Sequence, residues 1–356
     1  MTEKRISAIR NILSENEAAL ITSDINRRYF TGFNSSAGTV VITKNSAFLL
    51  IDFRYFEKAK NMVKNLTVIL AKRLFSQLEE IFKRENIKNI LIETDTVTIS
   101  YLNRLKSAFK DLNIDTGTLL SDKIKNLRSI KDKEEISLIK KAQSITDKAF
   151  EHILNFINLG KTEKEIALEL EVFMRKNGSE GVAFNTIAIS GKNTSMPHGV
   201  PTDKPLEKGD FITMDYGASF GGYCSDMTRT VALEYITEEQ NFVYNTVLKA
   251  QKSALESIKV GKICKDIDAV ARDLINNAGF ENCFGHGLGH SVGLEIHENP
   301  SFNTRDESVL KEGMLITVEP GIYLEDRFGV RIEDMVIITE TGFENITKSP
   351  KNLIIL

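Results

Sequence analysis

Two stretches of the chain carry nearly the same pattern, and each places an acidic side chain at the end of a strand-forming apolar run. Residues 206–217 read LEKGDFITMDYG, and residues 310–321 read LKEGMLITVEPG. The acids are Asp215 and Glu319. Because acidic residues are depleted in strands, their recurrence at one position of a repeated pattern indicates a function.

A second acid follows the first on the next predicted strand. Asp226 lies in the segment YCSDMTRTVAL. A turn centred between Phe220 and Gly221 predicts that Asp226 directly faces Asp215 across a hairpin. Their Cβ atoms would then be about 4.5–5.5 Å apart, where two carboxylates repel each other unless a cation or a proton lies between them.

The second copy predicts the same arrangement. Glu319 and Glu333 are placed symmetrically about residue 326, which lies in the turn-like segment EDRFG. Two pairs of carboxylates facing each other across a duplicated domain would provide oxygen ligands for two divalent ions. The alternative, four solvated acids on strand faces, is disfavoured by their matched positions.

Histidine usage supports a metal site. Three of the five histidines lie in residues 285–298, which read GHGLGHSVGLEIHE, and a fourth lies in MPHG; they are His286, His290, His297 and His198. His152 stands apart and is interpreted as an ordinary helix histidine. The glycines do not form the GxGxxG pattern of a nucleotide-binding loop, and the chain contains no HExxH motif.

Composition argues against several classes of protein. The 356 residues suffice for about two domains, and 42% hydrophobic with 27% charged residues is typical of a soluble globular protein. A net charge of −3 with scattered basic residues argues against a nucleic-acid partner. We find no signal peptide or membrane span and expect a cytoplasmic protein. The three cysteines lack CxxC spacing and are expected to be buried thiols.

The elements that must position these residues fall into two domains. Short apolar runs and helical patterns alternate up to about residue 120, which predicts a small α/β domain. The predicted strands are residues 18–22, 38–43, 47–52, 66–70 and 89–93, and the predicted helices are residues 54–64 and 74–85. A hairpin turn at residues 44–46 predicts a mixed sheet. A charged segment follows, and we predict domains of residues 1–125 and 126–356.

The repeat extends beyond the acids. Residues 157–166 (INLGKTEKEI) match residues 258–267 (IKVGKICKDI) at a spacing of 101, and the copies that begin at residues 206 and 310 are 104 apart. Each copy reads as helix, Gly-Lys, helix and then strands that hold the acids. The second domain is therefore predicted to consist of two related ααββ halves with a site between them.

These motifs resemble those of the pita-bread metallopeptidases, a family that includes methionine aminopeptidase, aminopeptidase P and prolidase. The histidine-rich segment fits the signature of the proline-specific branch, and MDYGA, SDMTRT, VEPG and RIED fit the remaining motifs in order. TSDINRRYFTGF and LIDFRY are similar to the N-terminal domain of aminopeptidase P and prolidase, which methionine aminopeptidases lack. The resemblance covers essentially the whole chain and implies a creatinase-like α/β domain followed by a pita-bread domain.

The resemblance also implies a role for each candidate residue. The implied metal ligands are Asp215, Asp226, His290, Glu319 and Glu333, with Asp226 and Glu333 bridging both ions. His198 and His297 would contact the scissile carbonyl or its tetrahedral intermediate, and His286 matches a more variable position of the signature. Arg331 lies two residues before Glu333, so it is expected to orient the carboxylates, with a plain surface salt bridge as the alternative.

This ligand set predicts a dinuclear hydrolase. Two divalent ions would lower the pKa of a shared water to give a bridging hydroxide, and Glu319 would shuttle the proton to the leaving amine. Four carboxylates and one imidazole suit Mn²⁺ or Co²⁺, with Fe²⁺ or Zn²⁺ as alternatives.

The family implies short peptides with an Xaa-Pro bond as substrates, and a homodimer. Xaa-Pro aminopeptidase and Xaa-Pro dipeptidase (prolidase) activities both stay open at this point. A catalytically silent binding protein and a metal-free creatinase-like hydrolase are less favoured, because all five ligand positions are intact. Methionine aminopeptidase would leave the first domain unexplained.

Overall fold

The chain divides into two compact units. The computed structural model describes residues 2–356; the first unit ends at Arg128 and the second spans Ser129–Leu356. Within residues 2–356, no helix is long and apolar enough to cross a membrane.

A mixed six-stranded sheet forms the centre of the first unit. The elements are, in chain order, α1 (Thr2–Arg10), β1 (Glu17–Ile21), α2 (Asp24–Thr31), β2 (Thr39–Thr43), β3 (Ala47–Ile51), α3 (Phe53–Met62), β4 (Thr67–Leu70), α4 (Leu74–Arg84), β5 (Asn89–Ile92), α5 (Ile99–Ala108), β6 (Asn113–Asp115) and α6 (Leu119–Ser129). The strand order is β4-β3-β2-β1-β5-β6, and β2 runs antiparallel to both neighbours while the other pairs are parallel.

The five strands and the mixed sheet predicted for this unit are confirmed. β2 and β3 form the hairpin predicted at residues 44–46, with Ile42 opposite Ala47. Every residue of β2 and β3 is buried. These strands read as continuous apolar runs because both faces of the sheet are covered.

The second unit consists of two halves of the same order, as predicted. The first half contains α7 (Lys133–Ile153), α8 (Glu163–Lys176), β7 (Gly181–Val182), β8 (Ile187–Ser190), a 3-10 helix (Gly191–Ser195), β9 (Phe211–Tyr216), β10 (Ala218–Phe220), β11 (Tyr223–Cys224) and β12 (Met227–Ala232). The second half contains α9 (Glu238–Ser257), α10 (Cys264–Asn277), β13 (Gly289–Ser291), β14 (Glu298–Phe302), β15 (Leu315–Val318), β16 (Gly321–Leu324), β17 (Phe328–Arg331), β18 (Asp334–Thr339) and β19 (Gly342–Asn345). The sheets are β11-β10-β7, β12-β9-β8, β14-β13-β15-β18-β19 and β16-β17.

Backbone hydrogen bonds repeat between the halves at the spacings of the sequence repeat. Gly160 N donates to Leu206 O at 3.2 Å, and Gly261 N donates to Leu310 O at 2.9 Å. The donors are 101 residues apart and the acceptors are 104 apart. The repeated sequence therefore produces a repeated backbone, and strands at equivalent positions carry Asp215 and Glu319.

Capping boxes start three of the four α-helices of the second unit, including one formed by Thr237 and Gln240 at the start of α9. Asp132 and Glu135 form a capping box at the start of α7, and Thr162 and Glu165 form one at the start of α8. Such boxes satisfy backbone N–H groups that have no partner within the helix. At the equivalent position of α10, Ile263 provides no side-chain cap, so that helix depends more on its packed apolar face.

Candidate metal centre

The first pair of acids lies on one hairpin, but in a register two residues away from the predicted one. β9 and β12 pair Asp215 with Thr228. The same register places Asp226 opposite Gly217. The prediction that Asp215 and Asp226 are directly opposed is therefore wrong.

The hairpin turn explains the difference. Gly221 and Gly222 both have positive φ, at 59° and 85°, so they are the two central residues of the turn. The turn is centred between these glycines, and Phe220 pairs with the residue that follows them. Because side chains alternate with a period of two, a shift of two residues still leaves both acids on one face of the hairpin.

The second pair of acids has the predicted register. β15 and β18 pair Val318 with Asp334, which places Glu319 opposite Glu333 in the next step along the chain. β16 and β17 continue in the same register. Both acids lie at the break between these two strand pairs, where the backbone N–H of Glu319 donates to Leu288 O at 2.8 Å and that of Glu333 donates to Thr228 O at 3.1 Å.

All the predicted site residues line one cavity of about 510 Å³ in the second unit. They are Asp215, Asp226, His290, Glu319, Glu333, His198, His297, His286 and Arg331. One group within the cavity is formed by Asp226, His290 and Glu333, whose potential ligand atoms all lie within 4.8 Å of one another. Asp226 and Glu333 are buried, whereas His198 and His297 are exposed. The structure thus gathers these residues, and their individual roles stay predictions.

His290 is held in the state that a metal ligand needs. Its Nδ1 lies 3.2 Å from the carbonyl oxygen of Ser291, which can only accept, so Nδ1 donates and Nε2 carries the lone pair. Nε2 is 3.3 Å from Glu319 Oε1 and 3.5 Å from Asp226 Oδ2. Burial lowers the pKa of His290, which keeps the imidazole neutral. A lone pair facing carboxylate oxygens is unfavourable unless a cation or a proton lies between them.

The carboxylates of the site also need a cation or a proton close to their oxygens. Asp215 Oδ1 and Glu333 Oε1 are buried without a hydrogen-bond partner among the described residues. Burial and then neighbouring carboxylates raise the pKa of Asp226 and of Glu333 well above the usual range. Burial also raises the pKa of Glu319 to about 8. The cavity lining offers carboxylate oxygens and imidazole nitrogens as ligand atoms, and none of the described residues that line it is a cysteine. The site therefore fits hard or borderline divalent ions.

Arg331 is buried beside the carboxylates, and its guanidinium hydrogen-bonds to residues of the site. It is only 3% exposed, so the alternative of a surface salt bridge is wrong. Nη2 donates to Asp215 Oδ2 at 2.7 Å, Nε to Thr228 Oγ1 at 3.0 Å and Nη1 to the Tyr323 hydroxyl at 2.9 Å. Burial lowers the pKa of Arg331, but Tyr323 and Asp215 raise it, and the net change is upward.

Tyr323, which the sequence did not single out, connects Arg331 to His286. His286 Nδ1 donates to the carbonyl oxygen of Gly287 at 2.8 Å, so Nε2 accepts from the Tyr323 hydroxyl at 2.8 Å. Burial, followed by the charge of Arg331, lowers the pKa of His286 to about 4. His286 is therefore neutral at neutral pH, and its hydrogen bonds end a chain that begins at the guanidinium.

Two threonines orient the acids and were also missed. Thr228 Oγ1 donates to Glu333 Oε2 at 2.7 Å, and Thr317 Oγ1 donates to Glu319 Oε1 at 3.0 Å. Thr317 had a signal in the sequence, because the repeated ITxxxG pattern has a threonine at the same position, Thr213, in the first copy.

Comparison with known protein families identifies the class. Residues 137–340 match the family described as Metallopeptidase family M24, and residues 5–130 match the Creatinase/Prolidase N-terminal domain. The chain therefore belongs to metallopeptidase family M24. The predicted class of enzyme and the predicted creatinase-like first domain are confirmed.

Individual relatives extend over the whole chain. The chain is 40% identical to the Xaa-Pro dipeptidase of Pyrococcus furiosus, over 99% of this chain and 100% of that protein. It is similar in structure to a protein described as Xaa-Pro dipeptidase from Bacillus anthracis, with 41% identity, a TM-score of 0.96 and 100% of both chains covered. The X-Pro aminopeptidase from Thermotoga maritima is 39% identical, with a TM-score of 0.92 and coverage of 98% of this chain and 100% of that one.

Proposed function

We propose that this metallopeptidase uses two divalent ions to cleave the Xaa-Pro bond of short peptides, as an Xaa-Pro dipeptidase. The observation that carries the proposal is the cavity in which His290 Nε2 faces Glu319 and Asp226, while Asp215 and Glu333 each keep a buried oxygen that has no partner among residues 2–356. The full-length similarity to proteins named Xaa-Pro dipeptidase supports the choice of substrate.

The ions would be held by the five predicted ligands, Asp215, Asp226, His290, Glu319 and Glu333. When bound, divalent ions polarise the scissile carbonyl and lower the pKa of water. The oxygen-rich donor set suits Mn²⁺ or Co²⁺, with Fe²⁺ or Zn²⁺ as alternatives.

Glu319 moves the proton in this proposal. Its Oε1 is oriented by the Thr317 hydroxyl, which leaves Oε2 to accept a proton from the attacking water. The leaving group is the secondary amine of proline, which must gain a proton as the C–N bond breaks. A carboxylate beside the attacking water can accept its proton and return that proton to the leaving amine.

His198 and His297 would bind the reacting carbonyl. Both are exposed and line the cavity, and the ring of His297 lies 4.4 Å from that of His290. The exposed His297 ring is still partly desolvated at the cavity, which together with the neighbouring His290 and His198 lowers its pKa, so it offers a neutral N–H group. Hydrogen bonds from these imidazoles would stabilise the negative charge that develops on the carbonyl oxygen.

A second candidate is removal of the first residue from longer Xaa-Pro peptides. Arg331 carries the one guanidinium or ammonium group among the described residues that line the cavity, and it already donates to Asp215, Thr228 and Tyr323. The free carboxylate of a dipeptide would compete with these partners. A proline followed by another residue would not, which favours the X-Pro aminopeptidase activity that the Thermotoga maritima relative is named for.

Hydrolysis of an Xaa-Pro dipeptide beside an Xaa-Pro-Yaa tripeptide tests both candidates, with Mn²⁺, Co²⁺, Fe²⁺ or Zn²⁺ and with a chelator. Metal-dependent cleavage of the dipeptide alone supports the dipeptidase, and release of the first residue from the tripeptide supports the aminopeptidase. An Xaa-Ala dipeptide controls for proline specificity. If neither proline peptide is cleaved with any of the four metals, the proposed function is wrong.

We further propose that the enzyme is a cytoplasmic homodimer, as the family resemblance implies. Light scattering during size-exclusion chromatography measures the mass in solution. A species at the chain mass of 40.0 kDa would contradict the dimer.

A further inference from the structure

Lys131 is a buried lysine whose side chain contacts residues adjacent in sequence to two histidines of the cavity. Lys131 Nζ donates to Ser291 Oγ at 2.8 Å and lies 3.2 Å from Glu298 Oε2. The two charged side chains are 1% and 6% exposed. A charge removed from water to this extent must be paired and hydrogen-bonded, so the contacts fix the position of the ammonium group.

Both partners of Lys131 are sequence neighbours of site histidines. Ser291 follows His290, and Glu298 follows His297. Ser291 and Glu298 are paired across β13 and β14, and the ladder is irregular between His290 and Ser291. Such an irregularity interrupts the ladder locally and changes the direction of the side chains beside it. The ammonium group supplies a constraint at this irregularity.

The surrounding backbone is adapted to this ion pair. At Gly293, a Cβ atom would lie 2.4 Å from Glu298 Oε1, so the glycine makes room for the carboxylate. Lys131 N donates to Gly313 O at 2.9 Å. That bond attaches the lysine to the segment that enters β15, the strand that ends next to Glu319. The backbone of Lys131 is thus attached to the segment before β15, and its side chain connects Ser291 of β13 with Glu298 of β14.

We propose that Lys131 is a positioning residue that holds Ser291 and Glu298 together and thereby sets the relative placement of His290 and His297. The proposal rests on the proposed function in one respect, namely that His290 binds metal and His297 binds substrate. It assigns to Lys131 a role in turnover that is separate from neutralising a buried carboxylate.

Two variants separate these roles. Lys131→Met leaves Glu298 buried without its cation, which should lower Tm by about 10 °C or prevent folding. Lys131→Met/Glu298→Gln removes both charges and should recover most of that stability. If Lys131 positions the histidines, kcat of the double variant stays lower by about tenfold or more while KM changes by less than about threefold. Recovery of kcat to within about twofold of the unmodified enzyme would overturn the proposal.

The matched control is the exposed pair formed by Lys140 and Glu344, whose side chains are 41% and 46% exposed. Lys140→Met/Glu344→Gln makes the same chemical change and should leave kcat unchanged. The visible spectrum of the Co²⁺-loaded proteins gives a readout that does not need turnover. The double variant at Lys131 should shift the ligand-field bands, and the control should not. If the unmodified protein cleaves no Xaa-Pro peptide, the proposed function fails alone, and a spectrum of the Lys131 double variant that superimposes on the unmodified one then overturns the positioning role.

Discussion

Removal of the metal ions should make the stability of this protein fall as the pH rises. In the metal-free fold, burial raises the pKa of Glu319 from an ordinary 4.5 to about 8, and raises the pKa values of Asp226 and Glu333 as well. A carboxyl group with a higher pKa in the folded chain holds its proton more tightly when folded. Its contribution to stability is complete below the unfolded pKa and is lost as the pH rises through the folded pKa.

The size of the effect follows from the pKa of Glu319. The difference between 4.5 and about 8 is about 3.5 pH units, and each is equivalent to about 1.4 kcal/mol, so Glu319 alone gives about 5 kcal/mol. For a unit of the size of residues 129–356, this corresponds to a fall in Tm of about 10–20 °C. Bound cations replace the protons, so the metal-loaded protein should show little of this loss.

The assay is thermal and urea unfolding of chelator-treated and Mn²⁺-loaded protein between about pH 5 and pH 8. Calorimetry of metal binding in buffers of different ionisation enthalpy should show protons released below about pH 8, because the ions displace them. The control is Glu319→Gln, which lacks the titrating group and should lose less stability over this range when free of metal.

A metal-free protein whose Tm stays constant or rises over this interval would refute the reasoning. It would mean that the carboxylates ionise in the folded chain without a compensating cation. The metal-loaded curve separates this effect from a general pH dependence, because the rest of the protein titrates identically in both samples.

Three further substitutions test individual contacts. Asp226→Ala should abolish hydrolysis and metal binding while the circular dichroism spectrum stays unchanged; unchanged turnover would contradict its assignment as a ligand. Arg331→Met removes the guanidinium that orients a ligand carboxylate and should lower kcat/KM by about 100-fold with the chain still folded. Thr228→Val leaves Glu333 without its donor and should lower kcat/KM by about tenfold or more. Thr213→Val, which removes a hydroxyl paired with another threonine, is the matched control and should change kcat/KM by less than about threefold.

Sequence patterns predicted five strands and two helices of the first unit, the repeat of the second unit and nine residues of the cavity lining, but not the contacts inside the cavity. The predicted register of the hairpin that carries Asp226 was wrong by two residues. Because side chains alternate with a period of two, the prediction still placed Asp226 on the correct face. The bond from Arg331 to Asp215 joins residues 116 apart, and the bond from Lys131 to Ser291 joins residues 160 apart. Such contacts depend on how the two halves pack, which no pattern within one segment encodes.

The register also shows how the two halves differ. Asp215 and Glu319 occupy equivalent positions of the repeat. Thr228 is opposite Asp215, and Glu333 is opposite Glu319, so Thr228 is the counterpart of Glu333. The expectation of four acids at matched positions is therefore correct for the first acid of each half and wrong for the second.

The counterpart of Asp226 in the second half is Arg331, two residues before Glu333. Each half thus has one acid and one hydrogen-bond donor on this part of the hairpin, in opposite order. Thr228 donates to Glu333, and Arg331 donates to Asp215, so each donor holds an acid of the other half. If the two halves were identical, Asp226 and Arg331 would be the same type of residue, and so would Thr228 and Glu333. Divergence of the copies is what allows the site to orient two of its carboxylates as well as bring them together, because Asp215 and Glu333 each meet a donor that only the other half provides.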